Sequence, residues 1–261
     1  MNTEKVLMAK TRKFYEETPY DTVELNDQTY QFLNQNYSYF KTDSSPNGET
    51  TVVDMGCGSG WISNYFKNIK MKRVLSLDLS STTLKLAKER YRLNAAQATN
   101  LQIPVKSAVA DWVISSGVIH HTPNARKSFF ELVRIVKPRG VIYLSTYGQE
   151  TWYYPFFKYV GGPLRFLYFN VPGMEWVYKA LFLPPFYVAG LIRTAMYGRK
   201  WAGNRSMKQI WNHFRDFILT PQASFHKYGE LEGWFKEGNL EILKYEFGGF
   251  GSHNFFLQKK N

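Results

Sequence analysis

The sequence predicts an α/β fold: a doubly wound parallel sheet, closed by a C-terminal antiparallel hairpin strand and carrying an inserted, mostly helical cap. Three observations carry this expectation. From residue 51 to 147, short apolar runs alternate with stretches of helical spacing. Alternating glycines join the first of these runs to its helix. Residues 148–222 then interrupt the pattern with a different composition before a helix and two strands complete it.

Taken in order, residues 3–17 and 26–40 read as helices, the second with Asn26 as N-cap and Tyr30, Leu33 and Tyr37 on one face. Ser44–Gly48 is a loop rich in turn formers. Thr51–Met55 is a short buried strand that runs into Gly56-Cys57-Gly58-Ser59-Gly60 and a helix from Trp61 to Ile69. Arg73–Asp78 is the second strand, followed by a helix capped by Ser80 or Ser81 and reaching about Arg92. Asp111–Ser116 is the third, leading into Gly117-Val118-Ile119-His120-His121-Thr122-Pro123. The helix Asn124–Val136 is expected to stop at Lys137-Pro138-Arg139-Gly140, before a strand at Val141–Ser145. Beyond the insertion, Tyr228–Glu237 reads as a helix and Leu240–Phe247 as a strand. Gly248–Gly251 turns that strand into a last one, His253–Gln258. The expected divisions are therefore a helical segment 1–50, a core of 51–147 with 223–261, and a cap over 148–222.

A strand ending in Asp-x-Gly-x-Gly-x-Gly at the head of a helix brings residues without Cβ to the point where a ligand lies against main-chain amides. Asp78, at the tip of the next strand, stands where such folds use an acid to hold ribose hydroxyls. Trp61 occupies the place of the last glycine of the dinucleotide fingerprint, which disfavours a pyrophosphate cofactor but not a nucleoside.

Val52–Gly60 with Asp78, the segment Asp111–Pro123 and Lys137–Gly140 together resemble the class I S-adenosylmethionine-dependent methyltransferases, closely over 50–147 and loosely over 225–261. The Gly-Val-Ile-His-His-Thr-Pro run is similar to that of small-molecule and lipid-like-substrate members. The resemblance implies a Rossmann-like core and S-adenosylmethionine as cofactor, with S-adenosylhomocysteine as product. It assigns Asp54, Gly56, Cys57, Gly58, Gly60 and Ser116 to the cofactor site, Asp78 to the ribose and Leu79 to the adenine. The family's adenine-binding Asp is missing, and Thr99 and Asn100 stand in its place, weaker acceptors than a carboxylate. His120 and His121 follow the strand that borders the cofactor and are the candidate bases, against the alternative of loop capping. His226, where the insertion rejoins the core, is the third candidate, against a role in starting the helix. Tyr15 belongs either to a helix closing over the cofactor or to packing on the sheet edge. Cys57, inside the glycine loop, is expected to pack rather than react.

The 261 residues carry 33 Lys and Arg against 21 Asp and Glu, a net charge of +12. By segment this is −3 over 1–50, +8 over 51–150, +7 over 151–220 and zero thereafter. Residues 151–220 also hold 19 of the 45 aromatics, so basic charge and rings coincide in the cap. Met207, Ile210, Trp211, Phe214, Phe217 and Ile218 form an apolar stripe at helical spacing, with Arg205, Lys208, Asn212 and Arg215 on the other side. The other cap aromatics exceed what a small cap buries, which points to an apolar substrate cavity or a membrane-contacting face over 151–220. A single cysteine excludes a disulfide framework and fits a reducing cytoplasm. The N-terminus lacks the apolar segment of a signal peptide, and the longest apolar run, Leu181–Ile192, is broken by Pro184-Pro185 and too short to span a bilayer. The expected activity is methyl transfer to a hydrophobic or aromatic small molecule. The alternatives are an RNA or tRNA methyltransferase and a catalytically inactive binding module of the same fold.

Overall fold

The computed structural model describes residues 3–17, 19, 34–35, 49–197, 207–248 and 251–261. Most of the helix expected over 26–40, the Ser44–Gly48 loop, Arg205 and the Gly249-Phe250 part of the last turn lie outside the described residues. The elements are α1 (Thr3–Glu17), β1 (Thr51–Met55), α2 (Trp61–Asn68), β2 (Arg73–Asp78), α3 (Ser81–Tyr91), β3 (Ala95–Gln97), β4 (Ala110–Ser116), α4 (Ala125–Ile135) and β5 (Val136–Tyr147). Beyond a helical turn at Tyr153–Pro155 come α5 (Gly161–Asn170), α6 (Met174–Tyr197), α7 (Met207–Phe214), α8 (Tyr228–Glu237), β6 (Leu240–Phe247) and β7 (Ser252–Lys259).

One seven-stranded sheet has the order β3-β2-β1-β4-β5-β7-β6. The first five strands are parallel, and β7 is antiparallel to both β5 and β6. Helices cover both faces, which is why β1 and β4 read as continuous apolar runs rather than alternating ones. On one face Phe129 and Leu132 of α4 and Trp234 and Phe235 of α8 pack on Val113, Leu144, Phe255 and Leu257. On the other, Tyr65 and Phe66 of α2 pack on Val52, Trp112, Tyr143 and Phe256.

Local chemistry sets the boundaries. Ser80 caps α3, its hydroxyl accepting from the Thr83 N–H at 3.2 Å, and Asn124 caps α4 through the Lys127 N–H at 2.9 Å. Two details depart from expectation. Residues 136–140 continue as strand rather than turn, because a register shift opposite Ala110–Trp112 and the Lys137–Asp111 ion pair at 2.8 Å hold them against β4. The short edge strand β3 has only two alanines to mark it in the sequence.

The insertion is helical and builds its own small core from Tyr178, Trp211, Phe214, Ile218 and Leu219. Phe14 of α1 joins that core. Trp211, Phe214 and Ile218 are buried as the stripe predicts, but Asn212 and Arg215 are buried as well rather than lying on the outer face. α7 gives way to a wider, π-helical turn at Arg215–Leu219, and α1 covers the side expected to meet water. The Arg215 guanidinium sits 4.4 Å from the centre of the Phe14 ring.

Candidate active site

β1 and β4 are adjacent at the centre of the sheet, and their C-terminal ends open onto a cavity of about 330 Å³. This is the position at which open α/β sheets bind ligands. Its floor is the glycine loop. Gly56, Gly58 and Gly60 all have positive φ, at 79°, 52° and 88°. A Cβ on Gly56 would lie 2.3 Å from the Val118 side chain, so the loop at that point closes only on glycine. The Gly56 and Cys57 N–H groups donate to the Leu77 carbonyl, which ties the loop to the end of β2.

Asp78 ends β2 beneath this loop. One carboxylate oxygen accepts from the Gly58 N–H at 2.8 Å, and the other accepts from the Ser80 N–H at 2.8 Å. Burial raises its pKa, and those backbone bonds oppose the rise. Leu79, Thr99, Asn100 and Ser116 line the same cavity, as do Gly56, Cys57 and Gly58. Asn100 is buried, and its side-chain nitrogen has no protein partner. Thr99 accepts from the Leu101 N–H at 3.2 Å and lies 3.2 Å from the Met8 sulfur.

Two of the expected cofactor residues stand behind the cavity rather than in it. Asp54 is buried under the loop, where the Ser63 hydroxyl donates to it at 2.6 Å. Burial pushes its carboxyl up to about 7; the Ser63 bond opposes the rise and the charge of Asp78 adds to it. Gly60 starts α2, and a Cβ there would lie 2.5 Å from Leu93 and 2.9 Å from Ala87. Cys57 lines the cavity but is buried, and burial pushes its thiol well above the ordinary range, as packing rather than reactivity requires.

α1 forms the cavity's roof through Met8, Thr11 and Tyr15. It is clamped by Glu16, whose carboxylate accepts from the Ser81 N–H at 2.8 Å and the Thr82 N–H at 3.0 Å at the start of α3. Partial burial opposes ionisation there, but hydrogen bonds from Thr82 and Ser81 win and hold Glu16 down at about 2.

The far end is lined by His120, His121, Tyr147 and Asp216. His120 is fully buried, stacks on Tyr147 at 3.7 Å and contacts the Thr146 hydroxyl through Nδ1 at 3.3 Å. Burial, then His121 and His226, hold its pKa well below the ordinary value, so it is neutral. His121 turns Nδ1 to the Gln222 carbonyl at 2.9 Å. Donation there fixes the tautomer and leaves Nε2 as an acceptor. The Tyr15 hydroxyl donates to Asp216 at 2.8 Å. The segment returning from the cap holds the His loop in place, through the Ser224 N–H on the His120 carbonyl and the Gln222 amide on the Thr122 carbonyl.

His226 is a correction. It does not line the cavity; its ring bonds Ser224 at 2.9 Å and Glu230 at 3.1 Å and packs on Trp234, so it fastens the start of α8. Tyr147 and Asp216 went unmarked in the sequence. Tyr147 sits at the C-terminal end of a central strand, and Asp216 is one of only two acids in residues 151–220; both signals were there to be read.

A nucleoside-bearing sulfonium fits these residues. The floor is a glycine loop in left-handed conformation that leaves main chain at the cavity, Asp78 has a fixed carboxylate for ribose hydroxyls, and Asn100 has a buried, unpartnered amide nitrogen.

Comparison with known proteins agrees with this geometry. Residues 53–144 match the family described as a methyltransferase domain. The malonyl-[acyl-carrier protein] O-methyltransferase of Serratia marcescens is 34% identical over 104 residues, covering 40% of each chain. The tRNA (carboxymethyluridine(34)-5-O)-methyltransferase of Arabidopsis thaliana is 32% identical over 112 residues, which are 41% of this chain and 26% of that one. The chain thus spans about two fifths or less of the length of these curated relatives. Among solved structures, magnesium protoporphyrin IX methyltransferase from Synechocystis PCC 6803 with bound S-adenosylmethionine covers 100% of both chains, with a TM-score of 0.58 and 12% identity, a likeness of fold. The glycine loop and the acid that ends β2 thus lie within the stretch, 53–144, that matches a methyltransferase domain.

Proposed function

We propose that the chain transfers a methyl group from S-adenosylmethionine to a hydrophobic or aromatic small-molecule or lipid-like acceptor. The single observation that carries this is the shared cavity, in which the glycine loop and Asp78 occupy one end and His121, Tyr147, Tyr15 and Asp216 the other. S-adenosylmethionine, when bound, supplies a methyl group already activated on a sulfonium.

The chain's residues then divide the work. Asp78 holds ribose hydroxyls, Gly56 and Gly58 give main-chain contact, and Leu79, Thr99 and Asn100 surround the adenine, the Asn100 amide nitrogen donating to an adenine ring nitrogen. Asp54 and Gly60 support the loop from behind. Transfer by displacement draws most of its rate from contact and alignment, so His121 is the one side chain given a chemical role. Its Nε2 accepts the proton that an O–H or N–H acceptor loses, while the neutral, buried ring of His120, its Nε2 without a protein partner, and the stacked ring of Tyr147 wall that end. α1 excludes water from above. We assign residues 148–222 as the substrate cap, seated on the core formed by 51–147 and 223–261. We place the protein in the cytoplasm, in peripheral contact with a membrane through 151–220.

A tRNA acceptor is the second reading, favoured by the match to the Arabidopsis enzyme and by the basic charge. The methyltransferase-domain match takes in the glycine loop, Asp78 and the His120-His121 loop, whereas Tyr15, Tyr147 and Asp216 of the acceptor end lie outside it. Incubating the protein with methyl-tritiated cofactor and a fractionated cell extract separates the readings. Label in the organic-soluble fraction is expected; label in the RNA fraction would overturn the acceptor assignment.

A further inference from the structure

Among the described residues, every large apolar side chain that remains exposed comes from 152–207 except Tyr245 and Phe247. The exposure is heavy: Trp176 is 73% exposed, Tyr159 68%, Phe166 67% and Leu181 61%. α6 shows why. At about 100° per residue, Val177, Leu181, Val188 and Ile192 fall within roughly 60° of one another on the helix, and all four are exposed. Tyr178 and Phe182 lie to the other side, Tyr178 buried and Phe182 stacked on Phe214 at 5.0 Å, so α6 has one face in the cap core and an apolar stripe in water. Phe166, Leu167 and Phe169 of α5 are exposed as well. No helix among the described residues is long and apolar enough to cross a membrane.

Basic groups rim this surface. A cleft of about 720 Å³ between α1 and α5 is lined by Lys10, Lys13 and Arg165 together with Phe166, Phe169 and Val171, three cations against two acids, Glu175 and Glu17, the latter 3.8 Å from Lys13. Lys158 is exposed over the rings of Tyr154 and Tyr159. An apolar stripe with cations beside it is the pattern of a helix lying in a membrane interface. A second copy of this chain fits less well, since a symmetric contact would set basic rim against basic rim on molecules of charge +12. Single-stranded nucleic acid fits the α6 stripe less well again, because Val177, Leu181, Val188 and Ile192 offer no ring for a base to stack on.

We propose that α5 and α6 dock on an anionic bilayer. The stripe of Val177, Leu181, Val188 and Ile192 meets the acyl boundary, and Lys10, Lys13 and Lys158 meet lipid phosphates. This rests on the reading of 151–220 as the membrane-facing part and does not depend on methyl transfer. The test is co-sedimentation of the full chain with phosphatidylglycerol–phosphatidylcholine vesicles and with phosphatidylcholine alone, alongside tryptophan emission. Sedimentation with the anionic vesicles, a blue shift, and loss of both at high salt are expected. The triple variant Val177→Asp, Leu181→Asp, Val188→Asp should weaken binding at least about tenfold, and Lys10→Glu with Lys13→Glu by about 25-fold, with unchanged thermal unfolding midpoints. Wild-type protein left in the supernatant with both vesicle types would overturn the proposal. So would triple-variant binding equal to wild type, or a wild-type dimer in light scattering that the triple variant converts to monomer. A failure on vesicles with intact cofactor binding sinks only this proposal; the reverse sinks only the methyltransferase reading.

Discussion

The cofactor half and the cap half of the cavity are built in different ways. From Gly56 to Gly60 and at the tip of β2 the site is set mainly by backbone: glycines with positive φ, an acid at a strand tip, and N–H groups aimed at it. At the acceptor end the same cavity is closed by side chains brought from far apart, with Tyr15 donating to Asp216 across 201 positions and His121 held by Gln222 across 101. The contrast teaches that the half using main-chain geometry is tied to a few residue types at fixed spacing. The half using side chains is not tied in that way, and it is where the proposed function puts substrate choice.

Perturbations should therefore separate cleanly. The largest expected effect is His121→Ala, which removes the acceptor of the proton and should lower turnover by about 10²- to 10⁴-fold while leaving S-adenosylhomocysteine affinity unchanged by calorimetry. An equal loss of both would merge the two halves into one. Asp78→Ala comes next, with cofactor affinity expected to fall about 10- to 100-fold, read by the same titration. Asp216→Asn or Tyr15→Phe should raise KM for the acceptor several-fold, on the order of 1 kcal/mol for one hydrogen bond, without moving cofactor affinity.

Asp54 sharpens the comparison through pH. Its folded pKa of about 7 lies above the ordinary 3.8, so the protonated form stabilises the fold. That stability is fully present below pH 3.8 and is lost as pH rises through 7, by at most about 4 kcal/mol. Asp54→Asn should flatten the change in denaturant midpoint across this window, and an unchanged slope would count against the assignment. Glu16 has the opposite sign. With its pKa held near 2, its contribution is present above 4.5 and fades as pH falls through 2. Glu16→Gln should produce the smallest effect, faster amide exchange in α1 with the sheet unaffected.

The same difference explains what was legible in the sequence. Strands β1, β2 and β4, the Ser80 cap, the glycine loop and Asp78 were readable because each is a local pattern with a physical reason for its spacing. The π-helical turn at Arg215–Leu219 was not, since it depends on α1 packing over that side, and it brought Arg215 inward and Asp216 to the cavity. His226 misled because its position at the rejoining point resembles that of a site residue, whereas its two ring nitrogens serve Ser224 and Glu230. Strand β3 has no apolar signal, only two alanines beside α3.

The central claim is that the glycine loop and Asp78 form a nucleoside-sulfonium site. Titration calorimetry of S-adenosylhomocysteine into the full chain tests it most directly. The account predicts saturable binding by the wild type and its weakening by about 10- to 100-fold in Asp78→Ala. No heat from the wild type at millimolar ligand, or equal binding by both proteins, would contradict it.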